Sequence, residues 1–297
     1  MNLKVWFMET RPSFLLLTPL VFSVGLAQAY VEGSFNVFRA LLGLAGVMLA
    51  HLSVNVINDY FDYKSGLDLK TRRTPFSGGS GILPAGLLNP RDVYLFAVGC
   101  LILGGSIGVY FALTTGWMIL PLVAVAAFTI YFYTTFLTHL FVGELFAGLN
   151  FGPLMVMGGY FIQTGRYSLS ALIPSIVPGI LVGTLLFLNE FPDVEADRTA
   201  GRRNAVISLG LARSSKVYGL LIASTYTWVV VCVLLRLMPG TMLITFVTLP
   251  FALRATRSVL KDYADIERLI PAMGANVMLV LSMTGTTTLG LLLSTLI

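Results

Sequence analysis

The sequence predicts an all-α integral membrane protein, built as a bundle of about nine transmembrane helices. Of its 297 residues, 56% are hydrophobic and only 11% are charged, and the mean hydropathy is +0.85. Soluble domains carry about 25% charged residues, so this chain has too little charge to cover a water-facing surface. The composition excludes a disordered chain, a collagen, a disulfide scaffold and a soluble nucleic-acid binder. We expect the lipid bilayer as a partner, no nucleic acid and no obligate protein partner.

Nine apolar runs are candidates for membrane spans, since a transmembrane helix needs about 20 predominantly apolar residues. They lie at 13–31, 37–58, 92–113, 117–136, 141–163, 170–189, 217–237, 241–256 and 271–296. The eighth run is the shortest and the weakest of these candidates. Two connections, 59–91 and 190–216, stand apart from the others because they are long, polar and rich in charge.

The positive charges are distributed unequally between the two sides of the predicted membrane. All but three of the 19 Lys and Arg residues fall on the side that holds the N-terminus and both long loops, and the exceptions are Arg39, Arg166 and Arg236. Basic loops mark the cytoplasmic side, so we expect a plasma-membrane protein with its N-terminus and both loops in the cytoplasm. The formal charge of +5 then reflects these loops rather than an anionic partner.

Half of the 14 acidic residues lie in two short segments, one at the start of each long loop. They are Asp59, Asp62 and Asp68 in the first segment, and Glu190, Asp193, Glu195 and Asp197 in the second. Each segment follows an apolar span that ends in asparagine, at Asn58 and at Asn189. Both loops follow even-numbered spans, so the two acidic segments are expected on the same side of the membrane.

The spacing within each segment places its ligand atoms on one helix face. Asn58 and Asp62 are four residues apart, and Asn189, Asp193 and Asp197 repeat that step, which is the spacing of neighbours on a helix surface. Asp68 comes six residues after Asp62, beyond a Lys-Ser-Gly sequence that is typical of a helix stop. A chain reversal there would bring Asp68 back towards Asp62.

This chemistry indicates a Mg²⁺–diphosphate site at the cytoplasmic end of the bundle. Carboxylate and amide oxygens are the ligands that hard divalent cations prefer, and Mg²⁺ commonly combines one or two carboxylates with substrate phosphates. Basic side chains between the acids suit the remaining negative charge of a diphosphate. They are Lys64, Lys70, Arg72, Arg73, Arg198, Arg202 and Arg203. The alternative is that both segments carry only solvated loop charges, which their matching spacing disfavours.

The paired motifs resemble those of the UbiA superfamily of intramembrane prenyltransferases. The resemblance is carried by NDYFDYKSGLD at 58–68, NEFPDVEADRTAGRRNAVISLG at 189–210, ETRPSFLLLTPL at 9–20 and GELFAGLNFGPLMVMGGYFIQTG at 143–165. The last of these, and the six-residue step from Asp62 to Asp68, are similar to the 1,4-dihydroxy-2-naphthoate branch. The resemblance implies one prenyltransferase domain over 1–297, a polyprenyl diphosphate donor, an aromatic acceptor and a role in menaquinone biosynthesis.

The resemblance also implies roles for individual residues. Those expected to hold two Mg²⁺ ions are Asn58, Asp62 and Asp68 for one ion and Asp193 and Asp197 for the other, with Asn189 in support. We take the four aspartates as the catalytic residues. Candidate substrate contacts are Arg11, Asn58, Lys64, Arg72, Arg73, Tyr133, Glu144, Asn189 and Arg198. Asp68 or Glu144 is the expected proton acceptor when the acceptor ring attacks the allylic cation.

Two positions depart from the family pattern. Relatives have a basic residue near the end of the fourth span, where this chain has Thr138, so that contact with the diphosphate is absent or passes to His139. Relatives also have Arg directly before the first Asp of the second motif, where this chain has Pro192. Arg198 is the expected replacement for that arginine.

Other functions remain open from the sequence. A prenyltransferase for 4-hydroxybenzoate or for an archaeal glyceryl phosphate ether would share these motifs. A secondary transporter would carry ionisable residues or broken helices near the membrane midplane, where this chain has almost no charge. The glycine-rich sequence at 78–81 lacks the Lys-Ser/Thr of a P-loop; we interpret it as a loop turn, with a cap over the site as the alternative.

Overall fold

A computed structural model describes residues 2–71 and 73–296; most of these are helical, and there is no strand among them. Eight of the described helices are long and apolar enough to cross a membrane, and a ninth is shorter. In chain order they are α1 (Pro12–Val31), α2 (Val37–Lys64), α3 (Pro90–Thr114), the shorter α4 (Trp117–Phe132), α5 (Gly143–Thr164), α6 (Leu169–Asn189), α7 (Leu211–Leu234), α8 (Gly240–Asp262) and α9 (Ile266–Leu293). The predicted all-α membrane bundle is confirmed.

Side-chain caps fix where several of these helices begin. Asn36 accepts a hydrogen bond from the backbone of Arg39 at the start of α2, and Asn89, Ser168 and Asp265 cap α3, α6 and α9 in the same way. Each cap satisfies a backbone N–H that has no partner inside the helix. These polar residues therefore determine where the helices begin, whereas the apolar runs locate only the central part of each span.

The shortest span is α4 rather than the eighth, so that part of the sequence prediction is wrong. The predicted eighth run stopped at 256, but α8 continues to Asp262 through Arg257 and Lys261. The predicted span ended where the apolar residues end, although helical hydrogen bonding continues through polar residues. For the same reason α2 reaches Lys64 rather than 58, and this places Asp59 and Asp62 on the helix itself.

The nine helices form a ring in which each packs against the next and α9 returns to α1. Helix α1 also crosses the interior to contact α5 and α6. Close approach is possible because Gly25 of α1 lies on the backbone of α5, where an added Cβ would stand 2.1 Å from the carbonyl oxygen of Val156. On the other side of α5, Gly152 meets Gly179 of α6 in the same manner. These contacts let α1, α5 and α6 pack closely in the interior of the bundle.

Candidate active site

The first acidic segment begins on the last turns of α2 and folds back after it. Helix α2 ends at Lys64 and is followed by Gly66, whose φ of 77° reverses the chain into the short turn Leu67–Leu69. Asp68 in this turn is buried, and its Oδ2 atom has no hydrogen-bond partner. Burial and the charges of Asp62 and Asp59 raise the pKa of Asp68 to about 7.

The second acidic segment follows α6 and is equally enclosed. Asp193 precedes the short helix Val194–Thr199, which carries the buried Asp197. The hydroxyl of Ser77 donates to Oδ1 of Asp193 across 3.5 Å. Burial and the charge of Asp197 raise the pKa of Asp193 to about 7. At the end of α6, the side-chain oxygen of Asn189 is buried and has no hydrogen-bond partner.

Arg202 joins the two segments. Its guanidinium forms an ion pair with Asp62 through Nη2 and lies 3.1 Å from Oδ1 of Asp197 through Nη1. The amide of Asn204 donates to the other Asp197 oxygen at 3.1 Å. The tips of α2 and of the segment after α6 therefore meet around one positive charge. Among the residues that the structure describes, no three His, Cys, Asp or Glu side chains are arranged to hold a metal ion.

The glycine-rich loop lies directly on the acids. Its backbone takes positive φ at Gly78, Gly79 and Gly81, which only glycine adopts readily. Ser80 N donates to Oδ2 of Asp59 at 2.7 Å. A Cβ added at Gly79 would stand 3.2 Å from both carboxylate oxygens of Asp68. The loop thus covers the acidic segment after α2 rather than turning freely in solvent.

Sequence reasoning missed Glu9, which is fully buried beside this loop. Ser80 Oγ donates to Oε2 of Glu9 at 2.7 Å, while Oε1 has no hydrogen-bond partner. Burial and the charge of Asp59 raise the pKa of Glu9 to about 8. A single acid in a short helix near the N-terminus is a weak signal in the sequence, because only the tertiary fold brings Ser80 to it.

A second pair of acids lies behind the site. Oε1 of Glu144 accepts a hydrogen bond from the backbone of Ala205 at 2.8 Å and so holds the second loop against α5. Burial and the neighbouring Glu144 raise the pKa of Glu190 well above its usual range. The fold explains Glu144 as a contact that positions the loop. Its expected role with substrate stays a prediction.

The predicted basic contacts divide into two groups. Arg11 lies at the mouth of the central cavity, with Nη1 3.7 Å from Oδ1 of Asp59, and the guanidinium of Arg73 lies against Gly81 of the glycine-rich loop. Lys64 and Arg198 are exposed at the rim. The remaining candidate, Arg72, lies outside the described residues.

The segment that follows α4 supports both acidic segments. Thr134 donates from its hydroxyl to Oδ1 of Asn58 at 2.6 Å. The carbonyl of Thr138, where the resemblance led us to expect a basic residue, accepts a hydrogen bond from the backbone of Arg203 at 2.9 Å. This bond anchors the loop that carries Arg202. The guanidinium between the two motifs therefore comes from Arg202, whereas Arg198, the expected replacement, is exposed.

A largely apolar cavity of about 320 Å³ opens from the acidic end into the bundle and is lined by residues of all six helices from α1 to α6. Polar residues line its mouth, namely Arg11, Asn55, Asn58, Tyr133 and Asn189. Along α2 it extends from Asn58 to Gly43, fifteen residues or about 22 Å of helix. Buried Phe22 and Ile162 lie against Gly43 and close this deeper part. The site can thus receive a long apolar chain that carries a polar, anionic head.

Comparisons with known proteins agree with this geometry. The sequence pattern of the UbiA prenyltransferase family matches residues 16–280. The chain is 28% identical to the 2-carboxy-1,4-naphthoquinone phytyltransferase of Synechocystis sp., over 86% of this chain and 82% of that protein. It is 27% identical to the 1,4-dihydroxy-2-naphthoate octaprenyltransferase of Bacillus subtilis, over 88% and 84% of the two chains. A solved UbiA homolog from Archaeoglobus fulgidus, bound to GPP and Mg²⁺, has a TM-score of 0.67 at 16% identity, covering 96% of this chain and 99% of that chain. The chain therefore belongs to the UbiA prenyltransferase family and is a prenyltransferase.

Proposed function

We propose that this enzyme transfers a polyprenyl group from a polyprenyl diphosphate to 1,4-dihydroxy-2-naphthoate, in menaquinone biosynthesis, with Mg²⁺ as its cofactor. The observation that carries the proposal is the junction of the two acidic segments with the apolar cavity, because the substrate has the same two parts. The names of both similar proteins support a naphthalene-type acceptor. We place the site at the cytoplasmic face of the plasma membrane, from the distribution of Lys and Arg.

The donor atoms at the site fit Mg²⁺. Buried oxygens of Asp68 and Asn189 have no hydrogen-bond partner, and a bound cation would satisfy them. We propose two ions, held by Asn58, Asp62 and Asp68 on one side and by Asp193 and Asp197 on the other, with Asn189 in support. When bound, Mg²⁺ supplies Lewis-acid stabilisation of the diphosphate as it leaves.

The remaining work falls to the protein's own side chains. Arg11 at the cavity mouth and Arg73 over the glycine-rich loop are placed to bind diphosphate oxygens. Lys64 and Arg198 at the rim are further candidates, and Arg72 is a candidate from the sequence alone. The apolar cavity binds the polyprenyl chain and excludes water, which would otherwise capture the allylic cation. Tyr133 lines the mouth, where the acceptor ring would approach.

The reaction breaks the bond between the first prenyl carbon and the diphosphate oxygen and forms a carbon–carbon bond to the acceptor ring. For 1,4-dihydroxy-2-naphthoate, the ring carbon that is attacked then loses its carboxylate as CO₂. The hydroxyl next to the attacked carbon releases its proton as the ring attacks, and it regains a proton after CO₂ leaves. The two candidates to accept that proton are Asp68 and Glu144. Oε1 of Glu144 already accepts a backbone hydrogen bond from Ala205.

Membranes that contain the enzyme, incubated with labelled polyprenyl diphosphate and a panel of acceptors, test this function. We expect labelled prenyl naphthoquinol, with one diphosphate released per transfer, and no product after chelation of Mg²⁺. The panel includes 4-hydroxybenzoate and a glyceryl phosphate ether. Transfer to either of these alone would contradict the naphthoate assignment. Uptake of an acceptor into vesicles without any product would contradict prenyl transfer itself.

The requirement for Mg²⁺ is expected to rise as the pH falls below about 7. The raised pKa values of Asp68 and Asp193, each about 7, mean that both carboxyls hold a proton at lower pH, and metal must displace it. Each carboxyl should raise the half-saturating Mg²⁺ concentration by up to about tenfold per pH unit below its pKa. Titrations of activity with Mg²⁺ from pH 6 to pH 8 measure this effect. A constant requirement over that range would contradict the role of these carboxylates.

A further inference from the structure

We infer that Arg202 is an internal counter-ion for the acidic site: it neutralises the two motifs before metal binds, and it transfers to the diphosphate when Mg²⁺ displaces it. This inference rests on the proposed function, since it concerns the same site. It assigns Arg202 a direct contact with substrate and makes the binding of metal and of diphosphate mutually dependent.

The position of Arg202 supports the first part of the inference, which is that this residue neutralises the two motifs before metal binds. Its side chain is 17% exposed and bridges Asp62 and Asp197, whose side chains are 19% and 6% exposed. Ion pairs that are largely removed from water are screened little by solvent. In the described part of the chain, Arg202 pairs with one acid of each motif, and without it Asp62 and Asp197 would lose this shared positive charge. Arg202 therefore stabilises the site in the absence of metal.

Arg202 and Mg²⁺ compete for the same carboxylate oxygens, and this competition supports the second part of the inference, which is that Mg²⁺ displaces Arg202. The guanidinium occupies Oδ1 of both Asp62 and Asp197, and these are carboxylates that we assign to Mg²⁺. Mg²⁺ binding requires Arg202 to leave, and the divalent cation would then repel it.

The local backbone indicates that the side chain moves while the loop stays in place. The backbone N–H of Arg202 donates to the carbonyl of Asp197 at 3.0 Å, and that of Arg203 donates to Thr138 at 2.9 Å. Asn204 keeps its own bond to Asp197. With the main chain anchored on both sides, a displaced guanidinium stays within reach of the site. The diphosphate is the anion that arrives there, and the planar guanidinium fork matches phosphate oxygens in a bidentate manner.

Arg202→Gln in the purified protein tests the inference through binding rather than turnover. We expect the variant to have a lower Tm without metal. We also expect it to bind Mg²⁺ alone about tenfold more tightly than the wild type, as measured by calorimetry and by the Mg²⁺ dependence of Tm. Inorganic pyrophosphate should strengthen Mg²⁺ binding in the wild type, and this enhancement should fall by about tenfold in the variant. A purely structural arginine would give only the loss of Tm.

Two further variants make the test decisive. Arg213→Gln removes an exposed arginine at the start of α7 and should leave Mg²⁺ and pyrophosphate binding unchanged. Arg202→Lys keeps the positive charge but loses the planar guanidinium that can bind two phosphate oxygens. This variant should therefore keep the wild-type Tm, while pyrophosphate no longer strengthens its Mg²⁺ binding. Unchanged Mg²⁺ affinity in Arg202→Gln, or unchanged enhancement in Arg202→Lys, would overturn the inference. A wild type that binds no pyrophosphate with Mg²⁺ would instead overturn the proposed function, and the inference with it.

Discussion

Asp62→Asn and Asp193→Asn are each expected to lower prenyl transfer by at least about 1,000-fold, which corresponds to about 4 kcal/mol of transition-state stabilisation. Asparagine keeps the shape of the side chain and removes its charge, so the change acts on metal binding rather than on packing. One aspartate comes from the end of α2 and the other from the segment after α6. Equal losses from both would show that the two motifs act on one substrate.

Glu195→Gln is the matched control, because Glu195 lies two residues from Asp193 in the same segment and is exposed. Initial rates with saturating Mg²⁺ should be unchanged in this variant. Asp62→Asn should also lower the Tm of the metal-free protein, since Asp62 is a partner of Arg202. Among the described residues, the side chain of Asp193 accepts one long hydrogen bond, from Ser77, so Asp193→Asn should change Tm less. More than a tenth of wild-type activity in either aspartate variant would argue against the proposed metal site.

The placement of both motifs at one end of the bundle could be predicted from the sequence. Apolar runs give the order of spans, and the parity of the spans then puts both long loops on one side. A regular spacing of four residues shows which oxygens share a helix face, as at Asn58 and Asp62. These inferences use only local periodicity and chain order, which the sequence contains directly.

The sequence offers seven basic residues of the two loops as candidates, and it could not predict that Arg202 pairs with both acidic segments. Its position depends on the turn at Gly201, where φ is 73°, and on the hydrogen bond from Arg203 to Thr138 in the segment after α4. Glu9 was missed for the same reason, since Ser80 reaches it only after the loop of 78–81 has folded onto Asp59. Contacts between distant segments decide these positions, and they leave no periodic signal.

Gly105→Leu is expected to restrict the enzyme to shorter prenyl donors. Gly105 of α3 lines the cavity, and a Cβ added there would have no heavy atom within 4 Å. The neighbouring Gly104 lies against the carbonyl of Gly46 in α2, twelve residues or about 18 Å of helix from Asn58. A leucine at this depth would leave short chains unhindered. It should lower kcat/KM for chains that extend past it by about 10- to 100-fold, the range for mismatched apolar groups in a pocket.

Gly99→Leu supplies the control for this change. Gly99 lies on the same helix, its added Cβ would also have no atom within 4 Å, and it is not among the residues that line the cavity. Any general effect of leucine on α3 would therefore appear in both variants, whereas a change in chain-length preference should appear only at Gly105. Competition between labelled short and long polyprenyl diphosphates measures that preference in one reaction. If both variants accept long chains as the wild type does, the polyprenyl chain does not follow α2 into this cavity, and the acidic site must receive its substrate from another direction.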